Sequence, residues 1–198
     1  LANSPCAVKE ILDAALQGPD ADYIRQTFEK EMEALSQLEH IAIPRIRDYF
    51  QEGDRSYIVM DFVRGASLQD EIVQHKTSTG KGLDPAQAVG DVLTLLDVVD
   101  YLHTLEPPIL HRDIKPANII RDQKTGRIKL VDFGLAKALK ETMTPQSQVG
   151  TMGYCALEQL CGNAEIRSDL YSVGATLHHL LTGLAPQPYR YDRIYVTA

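Results

Sequence analysis

One segment limits most strongly what this chain can fold into. Over residues 85–105, Val89, Val92, Leu93, Leu96, Val99 and Leu102 recur at helical steps, and Pro107-Pro108 ends the run. The apolar band is wide enough for a central core helix, around which the rest of the chain has to pack.

Ahead of that helix the signals are mostly those of a sheet. Residues 6–11 read as a strand, and residues 45–50 and 56–62 as a strand pair joined at Gly53-Asp54. Between them, after Gly18-Pro19, Asp20 or Asp22 can cap a helix that buries Ile24, Phe28, Met32, Leu35 and Leu38 on one face. Behind the central helix come short strands at 109–110, 119–120 and 128–131, the last two joined by the turn Lys124-Thr125-Gly126. A polar loop over 137–163 leads to a final helix over 167–182, closed by Gly183. Strands first and helices later, in 198 residues of which 44% are apolar, predict an α+β fold. A small sheet-rich lobe (1–63) would join a larger helical lobe (64–198) near residues 63–67.

Charge and cysteine content narrow the classes of function. A net charge of −7 argues against the broad basic surface that binding to a nucleic-acid backbone requires, so no nucleic-acid partner is expected. Cys6, Cys155 and Cys161 are odd in number and match no metal-ligand spacing, which makes a reducing, cytoplasmic setting the default. No stretch is apolar enough to span a membrane, and no signal-peptide pattern opens the chain. An anchor elsewhere in a parent protein stays open.

The chemistry concentrates in His111-Arg112-Asp113-Ile114-Lys115-Pro116-Ala117-Asn118, followed fourteen residues after Asn118 by Asp132-Phe133-Gly134. Taken alone, the Asp of an HxD triplet is as readily a turn or cap residue as a functional one. With Lys115, Asn118 and Asp132 in register, the pair of segments resembles the catalytic and metal loops of protein kinases. Phosphoryl transfer passes through a loose transition state, so it needs positioned metal, a positive side chain and an oriented hydroxyl more than covalent help. By this resemblance Asp113 accepts or orients the substrate hydroxyl, Lys115 offsets charge on the γ-phosphate, and Asn118 and Asp132 hold Mg²⁺.

The resemblance runs over nearly the whole chain. Ala7-Val8-Lys9 looks like the strand whose lysine grips the ATP phosphates, with Glu31 as its partner; otherwise both are ordinary surface charges. Residues 57–63 resemble the last small-lobe strand and the hinge. Met60 would then stand at the back of the adenine pocket, and backbone groups of Asp61 and Val63 would bond the base. Ala7 and Ile120 would sandwich it, unless these apolar residues are simply core. Gly150-Thr151, Ala156-Leu157-Glu158 and Asp169 to Gly174 extend the likeness through the substrate-side loop. Thr151 together with Lys115 is the pattern of the serine/threonine branch, and Gln159 and residues 175–183 are similar to bacterial members. Asp169 would anchor the His111-Arg112 backbone, and Arg112 would meet a phosphorylated Thr142, Thr144 or Ser147.

The sequence also departs from that family. No glycine-rich strand pair precedes Lys9, the later helices and the arginine expected to pair with Glu158 are absent beyond Pro188, and Leu157 replaces a proline. Both lobes are therefore expected to be incomplete, with low solubility or activity for these residues alone. The expected function is a serine/threonine protein kinase using Mg-ATP on protein hydroxyls. The alternatives are a kinase-fold binding or scaffold module that no longer catalyses, and a small-molecule phosphotransferase of related fold.

Overall fold

The computed structural model describes residues 4–12, 21–53, 55–133 and 151–187. Gly18, Pro19, Asp20, Asp54, Gly134, Thr142, Thr144, Ser147, Gly150 and Pro188 lie outside them.

Strands β1 (Cys6–Leu12), β2 (Ile46–Glu52) and β3 (Arg55–Asp61) form an antiparallel sheet in the order β1-β3-β2. Ala7 stands opposite Met60 and Lys9 opposite Ile58. Opposed residues share a face and alternate residues repeat it, so these four side chains lie on one side of the sheet. The other side carries the stacked rings of Phe50 and Tyr57, with centroids 5.0 Å apart. Helix α1 (Ala21–Ser36) buries Met32 and Leu35; Leu38 is buried too, just past the helix end, while the side chains of Ile24 and Phe28 are outside the described set.

After β3 the chain enters β4 (Gly65–Ser67), which pairs with β5 (Ile119–Asp122), and β5 pairs with β6 (Ile128–Leu130) in a second antiparallel sheet. Gly65 is required where the two backbones meet, since a Cβ there would lie 1.8 Å from the Arg121 carbonyl oxygen. The β5–β6 turn forms around Asp122, whose Oδ1 accepts from the Lys124 and Thr125 amides at 3.0 and 2.7 Å. The strand expected at 109–110 belongs to neither sheet; the Ile109 amide instead donates to the Leu102 carbonyl at 3.0 Å, tying that stretch to the end of the central helix.

Helix α2 (Leu68–Thr79) was not foreseen. Only Leu68 and Ile72 are buried on it, too sparse a pattern for periodicity to detect. Its start is set by a reciprocal capping box between Ser67 and Asp70, and its end by Gly80 at φ 73°.

The central helix is α3 (Pro85–His103), capped by Asp84 with proline in its first turn. Its buried stripe is Ala88, Asp91, Val92, Leu95, Val98, Val99 and Leu102. Val89, Leu93 and Leu96, which the sequence pattern placed in the core, are 48, 61 and 38% exposed. The contiguous 88–92–95–99–102 row wins the core, and the band read from sequence was broader than the face that packs. Arg121 of β5 locks α2 and α3 together. Its guanidinium bonds both oxygens of Glu71 at 2.8 and 3.1 Å and both of Asp91 at 3.0 and 2.7 Å.

Helix α4 is a single turn (Leu157–Leu160), and α5 (Ile166–Thr182) is closed by Gly183 at φ 64°, as its sequence implies. Leu180 of α5 joins Leu95 and Leu102 of α3, Leu68 and Ile72 of α2, Ile114, Ile119 and Leu130 in one apolar core.

Candidate active site

The loop from His111 to Asn118 is fixed by burial, with His111 and Asn118 enclosed at its ends, Ile114 in its middle and Ile119 just beyond it. Asp169, at the start of α5 and 1% exposed, reaches across to its first two amides. Its carboxylate accepts from His111 N–H and Arg112 N–H, both at 2.9 Å, and contacts His103 Nε2 at 3.0 Å. Two of these contacts are the anchor foreseen for Asp169; His103 gave no sequence signal, because a histidine in the last turn of a core helix looks like any other. The anchored turn holds Arg112 at φ 64°, a conformation that non-glycine residues adopt only when their surroundings enforce it.

The second loop lies against the first. Val131 N–H donates to the Asn118 carbonyl at 2.8 Å, and the rings of Phe133 and His111 lie 4.8 Å apart. Asp132 is also held at positive φ, 61°.

Around Asp113 the contacts converge. Asn118 Nδ2 donates to the Asp113 carbonyl at 2.9 Å and to its Oδ2 at 2.8 Å. Lys115 Nζ lies 3.0 Å from the same Oδ2, while Thr151 Oγ1 donates to Oδ1 at 3.0 Å and accepts from Lys115 Nζ at 2.8 Å. Across the cleft, Lys9 Nζ pairs with Asp132 Oδ1 at 3.0 Å. Both protons of Asn118 Nδ2 point at Asp113, so its Oδ1 is the atom left to meet a cation. Asp132, nearly half exposed, likewise commits one carboxylate oxygen to Lys9. Two hard oxygens from adjacent loops fit Mg²⁺, which fills its remaining positions with water and phosphate. The described residues contain no group of three His, Cys, Asp or Glu side chains that could cage a metal by itself.

Lys9, Met60 and Asp132 line one cavity with Pro44, Ile46, Ile58, Val131 and Phe133. Ala7 shares the sheet face of Lys9 and Met60 but does not line that cavity, nor do Asp61, Val63 and Ile120. The Asp61 amide donates to the Arg45 carbonyl at 2.9 Å and its carboxylate pairs with Arg47 at 2.6 Å. Val63 is buried, and half-buried Ile120 stands on β5 opposite Ser67. Glu31 is half-buried on α1 next to Met32. On the substrate side, Glu158 accepts from Ser168 Oγ at 2.8 Å, and Leu157 is exposed.

Burial pushes the His111 imidazole down from 6.5 to about 4, against the opposing charges of Asp169 and Asp113. Burial lowers His179 as well, helped by Lys76 and His178. A histidine with a depressed folded pKa binds its proton in the unfolded chain first. Stability should therefore fall as pH drops from 6.5 towards 4, with His111 alone contributing roughly 3 kcal/mol at the bottom of that window. Urea midpoints at pH 7 and pH 4.5 measure this, and His111→Gln should flatten the dependence; equal midpoints for the unaltered chain would contradict it.

Comparison with known proteins gives the family and the fold. A family model described as the protein kinase domain matches residues 2–195. The chain is 36% identical over 193 residues to Serine/threonine-protein kinase C of Synechocystis sp., covering 92% of this chain and 34% of that protein. To PrkC, a serine/threonine-protein kinase of Bacillus subtilis, it is 38% identical over 170 residues, covering 84% and 25%. Among solved structures, the PknI kinase domain of Mycobacterium tuberculosis matches with a TM-score of 0.73 at 27% identity, over 92% of this chain and 66% of that one. Rad53 1–466 in complex with AMP-PNP matches at 0.71 and 27%, over 96% and 44%. The chain spans about a third of the length of the curated relatives it matches first.

Proposed function

The chain belongs to the protein kinase domain family, and we propose that it transfers the γ-phosphoryl group of Mg-ATP to serine or threonine hydroxyls of proteins. The observation that carries the proposal is the Asp113 carboxylate held by Asn118, Lys115 and Thr151 at 2.8 to 3.0 Å. A carboxylate fixed in this way can orient an incoming hydroxyl and accept its proton as the O–P bond forms. Lys115, already at that carboxylate, offsets charge on the moving phosphoryl group.

Lys9 would grip the phosphates, with Glu31 as its positioning partner. Asn118 Oδ1 and Asp132 would hold magnesium, which when bound neutralises charge across the β- and γ-phosphates. Ala7, Ile120 and Met60 would enclose the adenine, and backbone groups of Asp61 and Val63 would bond its edge. Since the Asp61 amide is engaged by Arg45, its carbonyl is the group offered to the base. The AMP-PNP complex of Rad53, a chain of similar fold, supports a nucleotide ligand. The residue division 1–63 and 64–198 into small and large lobes goes with the same reading. None of the described helices is long and apolar enough to cross a membrane.

The test is label transfer from γ-labelled Mg-ATP by the full-length protein, to itself and to a generic basic protein, followed by phosphoamino-acid analysis. Phosphoserine or phosphothreonine is expected. Phosphotyrosine alone would move the acceptor class, and nucleotide binding without transfer would leave a kinase-fold binding module.

A further inference from the structure

We infer that Gln159 is a positioning residue for the transfer step, orienting Asp113 through the backbone. The inference rests on the kinase reading above.

Gln159 sits on α4, fully enclosed, at 0% exposure. Its Nε2 donates to the Arg112 carbonyl at 2.7 Å, while its Oε1 is buried with no hydrogen-bond partner among the described residues. A buried carboxamide with one orphaned oxygen is a costly occupant for a site that an apolar side chain of equal length could fill. Packing does not explain this residue, and the bond to Arg112 does. The Arg112 carbonyl also sets the orientation of the amide, since turning it over would place oxygen against carbonyl oxygen.

The bond falls at a decisive point. Arg112 is held at φ 64°, and the two peptide units flanking it are pinned separately. The unit before it gives its N–H to Asp169 at 2.9 Å. The unit after it joins Arg112 to Asp113: its carbonyl is held by Gln159, and its N–H points at His111 Nδ1, 3.4 Å away and too long to hold the plane alone. Gln159 therefore sets the plane from which Asp113 departs. The same stretch of chain touches Asp113 a second time through Thr151 Oγ1 at 3.0 Å. This stretch therefore reaches Asp113 twice, at its side chain through Thr151 and at the peptide unit before it through Gln159.

The experiment compares the full-length protein with its Gln159→Met and Gln159→Glu variants in kcat, KM for ATP and melting temperature. Methionine keeps the volume and removes the donor. It should lower kcat by about 10- to 100-fold, the scale of a small misplacement of a reacting group, with KM for ATP within about twofold. In an Asp113→Asn background the same change should cost nothing further, because there is no base left to orient. Glutamate has a donor only when protonated, and a site as buried as this one raises a carboxyl pKa, so its activity relative to the unaltered protein should rise between pH 8 and pH 6 while melting temperatures taken at each pH stay above the assay temperature, which separates positioning from loss of fold. Wild-type kcat in Gln159→Met, a full additional loss on Asp113→Asn, or a glutamate ratio indifferent to pH would each overturn the inference. If Gln159→Met fails to fold, the glutamate ratio decides. Absence of any transfer by the unaltered protein would instead remove the kinase reading on which the inference rests.

Discussion

Asp113→Asn is expected to lower kcat by about 10²- to 10⁴-fold, the usual worth of a positioned general base, while nucleotide binding and folding persist. The fold should tolerate the change because the carboxylate is bonded at the edge of the core and not within it; its side chain is 12% exposed. Among the described residues Asn118 Nδ2, Lys115 Nζ and Thr151 Oγ1 converge on it. An amide keeps one accepting oxygen, so at least one donor loses its partner, and Lys115, with 22% of its side chain exposed, can turn to water. The stability cost should be about 1–2 kcal/mol, the price of one or two hydrogen bonds near the surface. What asparagine cannot do is accept the hydroxyl proton. Label transfer, nucleotide titration and melting measured on one preparation separate these effects. Transfer at a tenth or more of the wild-type rate would remove Asp113 from the role of base.

That test is available because the site was legible in the sequence, and for a physical reason. Asp113, Lys115 and Asn118 occupy six consecutive positions, so a single loop conformation brings them together, and Asp132 follows within one short hairpin. Local spacing fixes local geometry. Lys9 was harder, because its approach to Asp132 depends on how the first sheet sits over the second loop, which no spacing encodes; order along the chain supplied the signal. Helix α2 escaped because its start is written in polar capping residues, Ser67 and Asp70, and not in an apolar period. The error at Val89, Leu93 and Leu96 has the opposite origin. An apolar residue is permitted on a helix surface, so a wide apolar band gives the period of a helix without saying which edge is buried. His103 and Gln159 gave no sequence signal because each meets a partner far along the chain, His103 the Asp169 carboxylate at 3.0 Å and Gln159 the Arg112 carbonyl at 2.7 Å.

Asp169→Ala should produce the opposite profile from Asp113→Asn, a loss of folding first and of activity as its consequence. The carboxylate is 1% exposed and serves two backbone amides and His103, so its removal strands three polar groups in the core. Breaking a buried charge arrangement of this kind costs about 3–5 kcal/mol. In a domain of this size that corresponds to a melting temperature lower by on the order of 10 °C. Arg112 would also lose the restraint on its φ of 64°, and the turn that presents Asp113 would relax. Acid titration offers an independent check. Burial acts to raise the Asp169 pKa, but the His103 bond, the charge of His111 and the Arg112 and His111 amides outweigh it and hold the carboxyl below its ordinary value of 3.8. A depressed carboxyl pKa stabilises the fold above the unfolded value and is lost as pH falls through the folded one. The unaltered protein should therefore lose stability in a second stage below pH 3.8, beneath the histidine stage, and Asp169→Ala should lack that second stage. A variant that melts as the wild type does and keeps the low-pH stage would show that the loop from His111 to Asn118 is held by something other than Asp169.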